Sequence, residues 1–150
     1  MKPVVVVDLD GTLYDSSARQ HLAQNQEWEA FHEASSEDPP NEAVLDVLSA
    51  LPPQTRIIAC TGRNEGHRKI TEDWMIKHCV PIDEILMRPE FDFRSDVVLK
   101  PQLLLEWAEA EFPGKTLQEL VWFVLDDRDK VVEAWRAMGL PCWQVNEGVY

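Results

Sequence analysis

The stretch Val4-Val5-Val6-Val7-Asp8-Leu9-Asp10-Gly11 decides the fold. Four consecutive β-branched apolar residues read as a strand buried on both faces, the pattern of a parallel sheet covered by helices. Two carboxylates follow at its carboxyl end, where open α/β sheets bind ligands. On an ideal strand Asp8 and Asp10, two residues apart, point the same way. Like charges held together are unfavourable without a cation or a proton between them, so the segment predicts a metal site. Asp10-Gly11 is also a hairpin signal. A hairpin needs a second alternating strand at once, and Thr12-Leu13-Tyr14-Asp15-Ser16-Ser17 leads instead into a polar, helical stretch.

Working outward, strands and helices alternate. One helical insert is expected between about residues 15 and 40, its helix near 18–34, closed by the turn-rich Ser35-Ser36-Glu37-Asp38-Pro39-Pro40. Asn41 can cap a helix that carries Val44, Val47, Leu48 and Leu51 and stops before Pro52-Pro53. Arg56-Ile57-Ile58-Ala59-Cys60 predicts a second strand, residues 65–79 a helix, and Ile85-Leu86-Met87 a weaker strand. A helix starts near Asp96, with Pro101 expected in its first turn, where its missing donor does no harm. Val121-Trp122-Phe123-Val124-Leu125 is a third apolar strand ending in Asp126-Asp127, followed by a helix over 128–138 and the short strand Cys142-Trp143-Gln144-Val145. The alternation predicts one α/β domain over residues 1–150, with right-handed crossovers between parallel strands.

A chain of 150 residues can bury a substantial core, and most of its six tryptophans are expected there. Three cysteines, Cys60, Cys79 and Cys142, without Cys-x-x-Cys spacing, read as buried thiols in a reducing compartment. The four histidines show no ligand spacing and read as surface or packing residues. No apolar run reaches membrane-spanning length, and the opening seven residues are too short for a secretory signal, so a cytoplasmic protein with no membrane partner is expected. The balance of 14 basic to 27 acidic residues, a net charge of −13, argues against a broad electrostatic footprint on nucleic acid. A few arginines gripping one chain end remain compatible with it.

Asp8/Asp10, Thr61-Gly62, Lys100 and Asp126-Asp127 each fall at an element boundary, and a parallel sheet can gather all four at one edge. Thr61 and nearby helix-start amides can hold phosphoryl oxygens, and Lys100 offers a compact positive charge. Four carboxylates against Lys100 leave −3, which one Mg²⁺ lifts to −1, so further arginines such as Arg63 and Arg128 are expected in the pocket. Oxygen-only ligands favour Mg²⁺ over zinc. Taken singly, Thr61 or Asp127 reads as a helix cap and Lys100 as a surface residue; their order and placement together point to a site. Gly114-Lys115-Thr116 resembles the end of a phosphate-binding loop, but Glu109 stands where its first glycine belongs, so it reads as a polar loop.

Asp8-Leu9-Asp10-Gly11-Thr12-Leu13, Thr61-Gly62-Arg63, Lys100 and Asp126-Asp127 resemble the four motifs of the haloacid dehalogenase-like phosphatases. Phe93 to Lys100, Asp126-Asp127-Arg128, Val131 to Arg136 and Cys142-Trp143-Gln144-Val145 are similar to the 3′-phosphatase half of bacteriophage-type polynucleotide kinase-phosphatase. The resemblance implies a Rossmann-like three-layer fold with a mostly parallel five-stranded sheet and a minimal helical cap. It implies Asp8 as nucleophile, Asp10 as general acid/base, and Thr61 and Lys100 on the phosphoryl group. Mg²⁺ would sit on Asp8, Asp10, Asp126 and Asp127. Gly62, Arg63, Arg19, Arg94, Asp96 and Arg128 would serve the phosphate or the substrate. The implied activity removes 3′-terminal phosphate from DNA or RNA, with a separate kinase or ligase as possible partner, in a monomer or small homo-oligomer. The compartment would be the cytoplasm, of the host if phage-encoded. Two readings compete: a phosphatase for nucleotides or other small esters, and a phosphoryl-responsive module without catalysis. Receiver modules hold their acceptor Asp mid-chain and their Thr and Lys late, which this order does not match. The scant insert leaves the site open, which suits a polymer end, with Arg19, Arg63, Arg88 and Arg94 as contacts to its backbone. For Arg88 a surface ion pair is the favoured reading.

Overall fold

A computed structural model describes residues 2–148. In chain order the elements are β1 (Val4–Val7), α1 (Gln20–Gln24), α2 (Trp28–Glu33), α3 (Glu42–Ser49), β2 (Arg56–Asn64), α4 (Arg68–Lys77) and β3 (Glu84–Arg88). Then follow α5 (Asp96–Glu111), α6 (Leu117–Leu120), β4 (Val121–Arg128), α7 (Asp129–Ala137) and β5 (Cys142–Gly148). The five strands form one sheet in the order β3-β2-β1-β4-β5, and every pairing is parallel. This is the Rossmann-like α/β architecture that the alternation and the resemblance imply.

β1 is central, and all four of its valines are buried because both faces are covered. Val4 and Val6 pack with Leu104 and Trp107 of α5 and with Val131, Val132 and Trp135 of α7. Val5 and Val7 face the other way, onto Val44 and Leu48 of α3 and Trp74 and Met75 of α4. The two-residue period of the strand thus divides one valine run between two cores. Each buried valine contributes about 1.5–3 kcal/mol of apolar transfer before the entropy cost.

After Val7 the chain turns tightly. The amides of Thr12 and Tyr14 both donate to the Leu9 carbonyl, at 3.1 and 2.9 Å, and Gly11 takes a left-handed φ of 82°. The Asp-Gly signal therefore makes a loop that presents Asp8 and Asp10, and no hairpin follows.

Several boundaries differ from expectation. β2 runs past Cys60 to Asn64, with an irregular register against β3 between Cys60 and Asn64. Thr61, Gly62 and Arg63 consequently lie on strand, and the helical cap is Asn64, whose side chain accepts from the Gly66 amide at 2.8 Å. Pro101 is the sixth residue of α5, not in its first turn. The Val97 carbonyl that loses its donor there lies on an exposed turn of the helix, within reach of water. Residues 15–40 hold two short α-helices and two single 3₁₀ turns, Ser17–Arg19 and Ala34–Glu37, instead of one helix. Gly114 (φ 80°) makes a turn, and Thr116 with Glu119 forms a capping box on the unanticipated α6. Cys60 and Cys142 are buried, whereas Cys79 is exposed at a left-handed position that ends α4. Of the tryptophans, Trp74, Trp107 and Trp135 are core, while Trp28 and Trp143 are largely exposed. No helix among the described residues is long and apolar enough to cross a membrane.

Candidate active site

The carboxyl ends of β1, β2 and β4 and the second turn of α5 meet at one edge. The Asp8 amide continues the sheet by donating to the Leu125 carbonyl at 2.9 Å. Its Oδ1 accepts from Lys100 Nζ at 2.7 Å and its Oδ2 from the Thr12 hydroxyl at 3.0 Å. Lys100 also donates to Asp126 Oδ2 at 3.1 Å, an oxygen that accepts from the Trp135 indole N–H at 3.2 Å. Asp126 Oδ1 accepts from the Asp127 amide at 2.9 Å. Asp8, Asp126 and Asp127, all buried, each offer an oxygen within 4.8 Å of the others.

Asp8 and Asp126 share one ammonium, which leaves the pair at −1 with the Asp127 carboxylate beside it. Burial pushes the Asp8 carboxyl well above its ordinary range, the Asp126 charge adds to this, and Lys100 opposes it. Burial alone would lower Lys100, but Asp126 and Asp8 more than offset it and hold the ammonium charged. Three oxygen donors with surplus negative charge are the donor set of a hard divalent cation, and they fit Mg²⁺.

Asp10 is handled differently. Arg63 grips both of its oxygens, Nε to Oδ2 at 3.0 Å and Nη2 to Oδ1 at 2.6 Å, and Arg19 Nη2 reaches Oδ1 at 2.5 Å. Arg19 is buried and also pairs with Asp38, at 2.6 Å. Arg63 is fully buried, donates to the Thr71 hydroxyl at 2.9 Å, and lies over the Tyr14 ring, 4.2 Å from its centroid. Tyr14 in turn stacks on Trp74 at 3.7 Å. Burial would raise the Asp10 carboxyl, but Arg63, through charge and hydrogen bonds, and then Arg19 hold it far below the usual carboxylate range. His32 Nδ1 lies 3.6 Å from Asp10 Oδ2, and burial holds the imidazole down to about 4. The carboxylates whose oxygens lie within 4.8 Å of one another are those of Asp8, Asp126 and Asp127, while Asp10 is held by its arginines. Arg19 is likewise a partner of Asp10 and Asp38, too deeply buried to reach a polymer backbone.

A third set frames the mouth. Arg88 Nη2 and Arg128 Nη1 donate to the two oxygens of Asp96, at 2.5 and 2.9 Å. Asp96 presses against Gly62, where an added Cβ would lie 2.5 Å from its Oδ1, so a larger residue would have to push the carboxylate off its two arginines. Arg88 also donates to the Gly62 carbonyl at 2.8 Å. The ion pair expected of Arg88 is thus present, on Asp96, but it is part-buried and braces β2 against the start of α5. Thr61 is buried, and its hydroxyl accepts from the Arg63 amide at 3.1 Å. Arg94 is exposed and paired with Asp92 at 2.6 Å. Asp8, Asp10, Thr61, Gly62, Arg63 and Lys100 all line one open pocket of about 500 Å³, and Arg88, Arg94, Asp96 and Arg128 border it. Asp126 and Asp127 lie on β4 behind Lys100, and Asp127 faces an adjoining pocket of about 1050 Å³.

Residues 2–150 match the polynucleotide kinase PNKP phosphatase domain. The chain belongs to that family. A chain in a structure of a Pnkp1/Rnl/Hen1 complex is 35% identical to this one, over 99% of this chain and 48% of that one, with a TM-score of 0.79. A second structure, of a Pnkp1/Rnl/Hen1 RNA repair complex, gives 35% identity, 99% and 44% coverage and a TM-score of 0.80. The chain thus spans about half the length of these relatives. A haloacid dehalogenase-like hydrolase from Streptococcus pneumoniae, 14% identical over 97% of this chain and 87% of its own, shares the fold with a TM-score of 0.68. As a member of the PNKP phosphatase-domain family, this chain is a haloacid dehalogenase-like phosphatase.

Sequence reading missed Thr12, His32, Asp38 and Trp135 as members of the site. Thr12 follows the Asp-x-Asp run directly, and that adjacency was the available signal. The other three reach the site only through packing.

Proposed function

We propose that the 150 residues act as one phosphatase domain with a small helical insert over about 15–40, which removes 3′-terminal phosphate from nucleic acid ends with Mg²⁺ as cofactor. The observation that carries this is Asp8, buried at the floor of an open pocket, bonded to Lys100 and within 4.8 Å of Asp126 and Asp127. RNA is the favoured class, because a relative at 35% identity belongs to an RNA repair complex. That assembly also supports a ligase or a kinase as working partner.

Asp8, Asp126 and Asp127 would hold the Mg²⁺, which when bound shields Asp8 from the anionic substrate and stabilises charge on the phosphoryl oxygens. Asp8 attacks phosphorus through a carboxylate oxygen as the ester P–O bond breaks, leaving an aspartyl-phosphate. Lys100 and Thr61 hold the phosphoryl oxygens while this happens. Asp10 gives a proton to the departing 3′-oxygen, then takes one from the water that attacks phosphorus. Water's oxygen joins the phosphate, the Asp8–phosphorus bond breaks, and both carboxyl groups return to their first state. Arg63 and Arg19 keep Asp10 in the carboxylate form that the second step needs. The first step needs it protonated, so Asp10 must loosen a guanidinium contact on the way.

Phosphate release from a 3′-phosphorylated oligonucleotide, a 3′-mononucleotide and a generic phosphate ester tests the reading. Hydrolysis of the oligonucleotide at the highest kcat/KM supports it, and preference for the mononucleotide overturns the polymer substrate.

A further inference from the structure

Phe91 and Phe93 are the two most exposed large apolar side chains among the described residues, at 86% and 90%. Both line the pocket that holds Asp8 and Lys100, as does the half-exposed Trp28. No described residue covers them, yet the loop that carries them is built firmly. Arg88 donates to the Asp92 carbonyl at 3.0 Å and the Arg94 carbonyl at 2.5 Å, while holding Gly62 and Asp96 with its other nitrogens. The Asp92 amide closes a turn on the Pro89 carbonyl at 3.2 Å. Phe91 is held at φ 63°, a left-handed conformation that bulky side chains avoid. An ordered loop that turns two aromatic faces to water beside a phosphate site offers a preformed surface to a planar apolar group.

Charge decides what that group does. The protein carries −13, and the basic side chains around the site are largely committed to carboxylates: Arg19 and Arg63 to Asp10, Arg88 and Arg128 to Asp96, Arg94 to Asp92. Little positive charge is left to track a phosphate backbone, so affinity beyond the terminal phosphate must come from elsewhere. Base stacking on aromatic rings is the contribution that needs no positive charge. We propose that Phe91 and Phe93 form a stacking platform for unpaired nucleobases next to the terminal phosphate, which makes single-stranded ends the substrate. This rests on the phosphatase reading above and adds the structural class of its substrate.

The test measures kcat/KM for wild type, Phe91→Ala, Phe93→Ala, the double variant and Phe93→Trp. Substrates are a 3′-phosphorylated single strand, the same strand in a blunt duplex, and p-nitrophenyl phosphate. The double alanine variant should lower the ratio of single-strand to p-nitrophenyl phosphate activity about tenfold or more through KM, while Phe93→Trp keeps it. Wild type should prefer the single strand to the duplex. Its oligonucleotide KM should rise only about threefold for a fourfold rise in salt, the response to one released phosphate contact. An unchanged ratio in the double variant, or equal rates on duplex and single strand, overturns the platform and leaves the phosphatase reading intact. A wild type that cleaves p-nitrophenyl phosphate but no oligonucleotide overturns both.

Discussion

Two buried acidic groups lie side by side at the edge of this sheet, and the protein balances them in opposite ways. Asp10 and Asp38 face Arg19 and Arg63, two negative charges against two positive. Asp8 and Asp126 share one ammonium, that of Lys100, and Asp127 offers a third carboxylate oxygen beside them. Where the chain supplies its own counter-charge, the carboxylate is fixed in place and kept ionised. Where two carboxylates share one ammonium, the site suits a cation and an anionic substrate that arrive together. Burial of a charge is costly unless it is paired, so each arrangement makes a different claim about what removal does.

The largest effect is expected on the unbalanced side. Asp8→Asn should lower phosphate release from a generic ester by about 10⁴-fold or more, because it removes the nucleophile and leaves no substitute. Wild-type turnover in that variant would break the assignment. On the balanced side, Arg63→Met should cost about 3–5 kcal/mol in urea unfolding, since it strips the buried Asp10 of the guanidinium that grips both its oxygens. A loss no larger than that of an exposed arginine would mean that water or Arg19 replaces it.

Lys100→Met sharpens the comparison. Its rate should fall about a hundredfold through loss of phosphoryl stabilisation. Its melting temperature should fall in chelator, where Asp8 and Asp126 lose the ammonium they share, and recover with Mg²⁺. Equal melting temperatures with and without Mg²⁺ would contradict the charge imbalance. The smallest effect belongs to His32, held by burial at about 4 in the folded protein against an ordinary 6.5. Below pH 6.5 the unfolded chain takes up a proton that the folded one refuses until about pH 4, so stability falls with pH across that window. His32→Gln should remove about 2–3 kcal/mol of that decline, read as a flatter stability-versus-pH curve. An unchanged curve would place His32 in water.

The valine run, the strand–helix alternation and the two acidic pairs made the sheet and its reactive edge legible in the sequence, because buried parallel strands and clustered carboxylates leave local signatures. Thr61, Lys100, Asp126 and Asp127 were legible for the same reason, each placed by the end or first turns of an element. The irregular end of β2 was not, since a strand that continues through Thr61-Gly62-Arg63 after its apolar run ends has no period to announce it. Nor were the partners of Asp10 and Asp96. Arg19, Arg88 and Arg128 look alike in sequence, and only packing decides that one is buried on Asp10 while two brace Asp96. Phe91 carries no signal in the sequence and Phe93 only heads the family-like segment, so their place at the pocket's edge emerges from the fold alone.

Mg²⁺ titration into chelator-treated protein, followed by calorimetry, tests the division of labour most directly. Wild type and Asp10→Asn should both bind the ion, and Asp127→Asn should lose most of that binding. Intact binding in Asp127→Asn with loss in Asp10→Asn would contradict it.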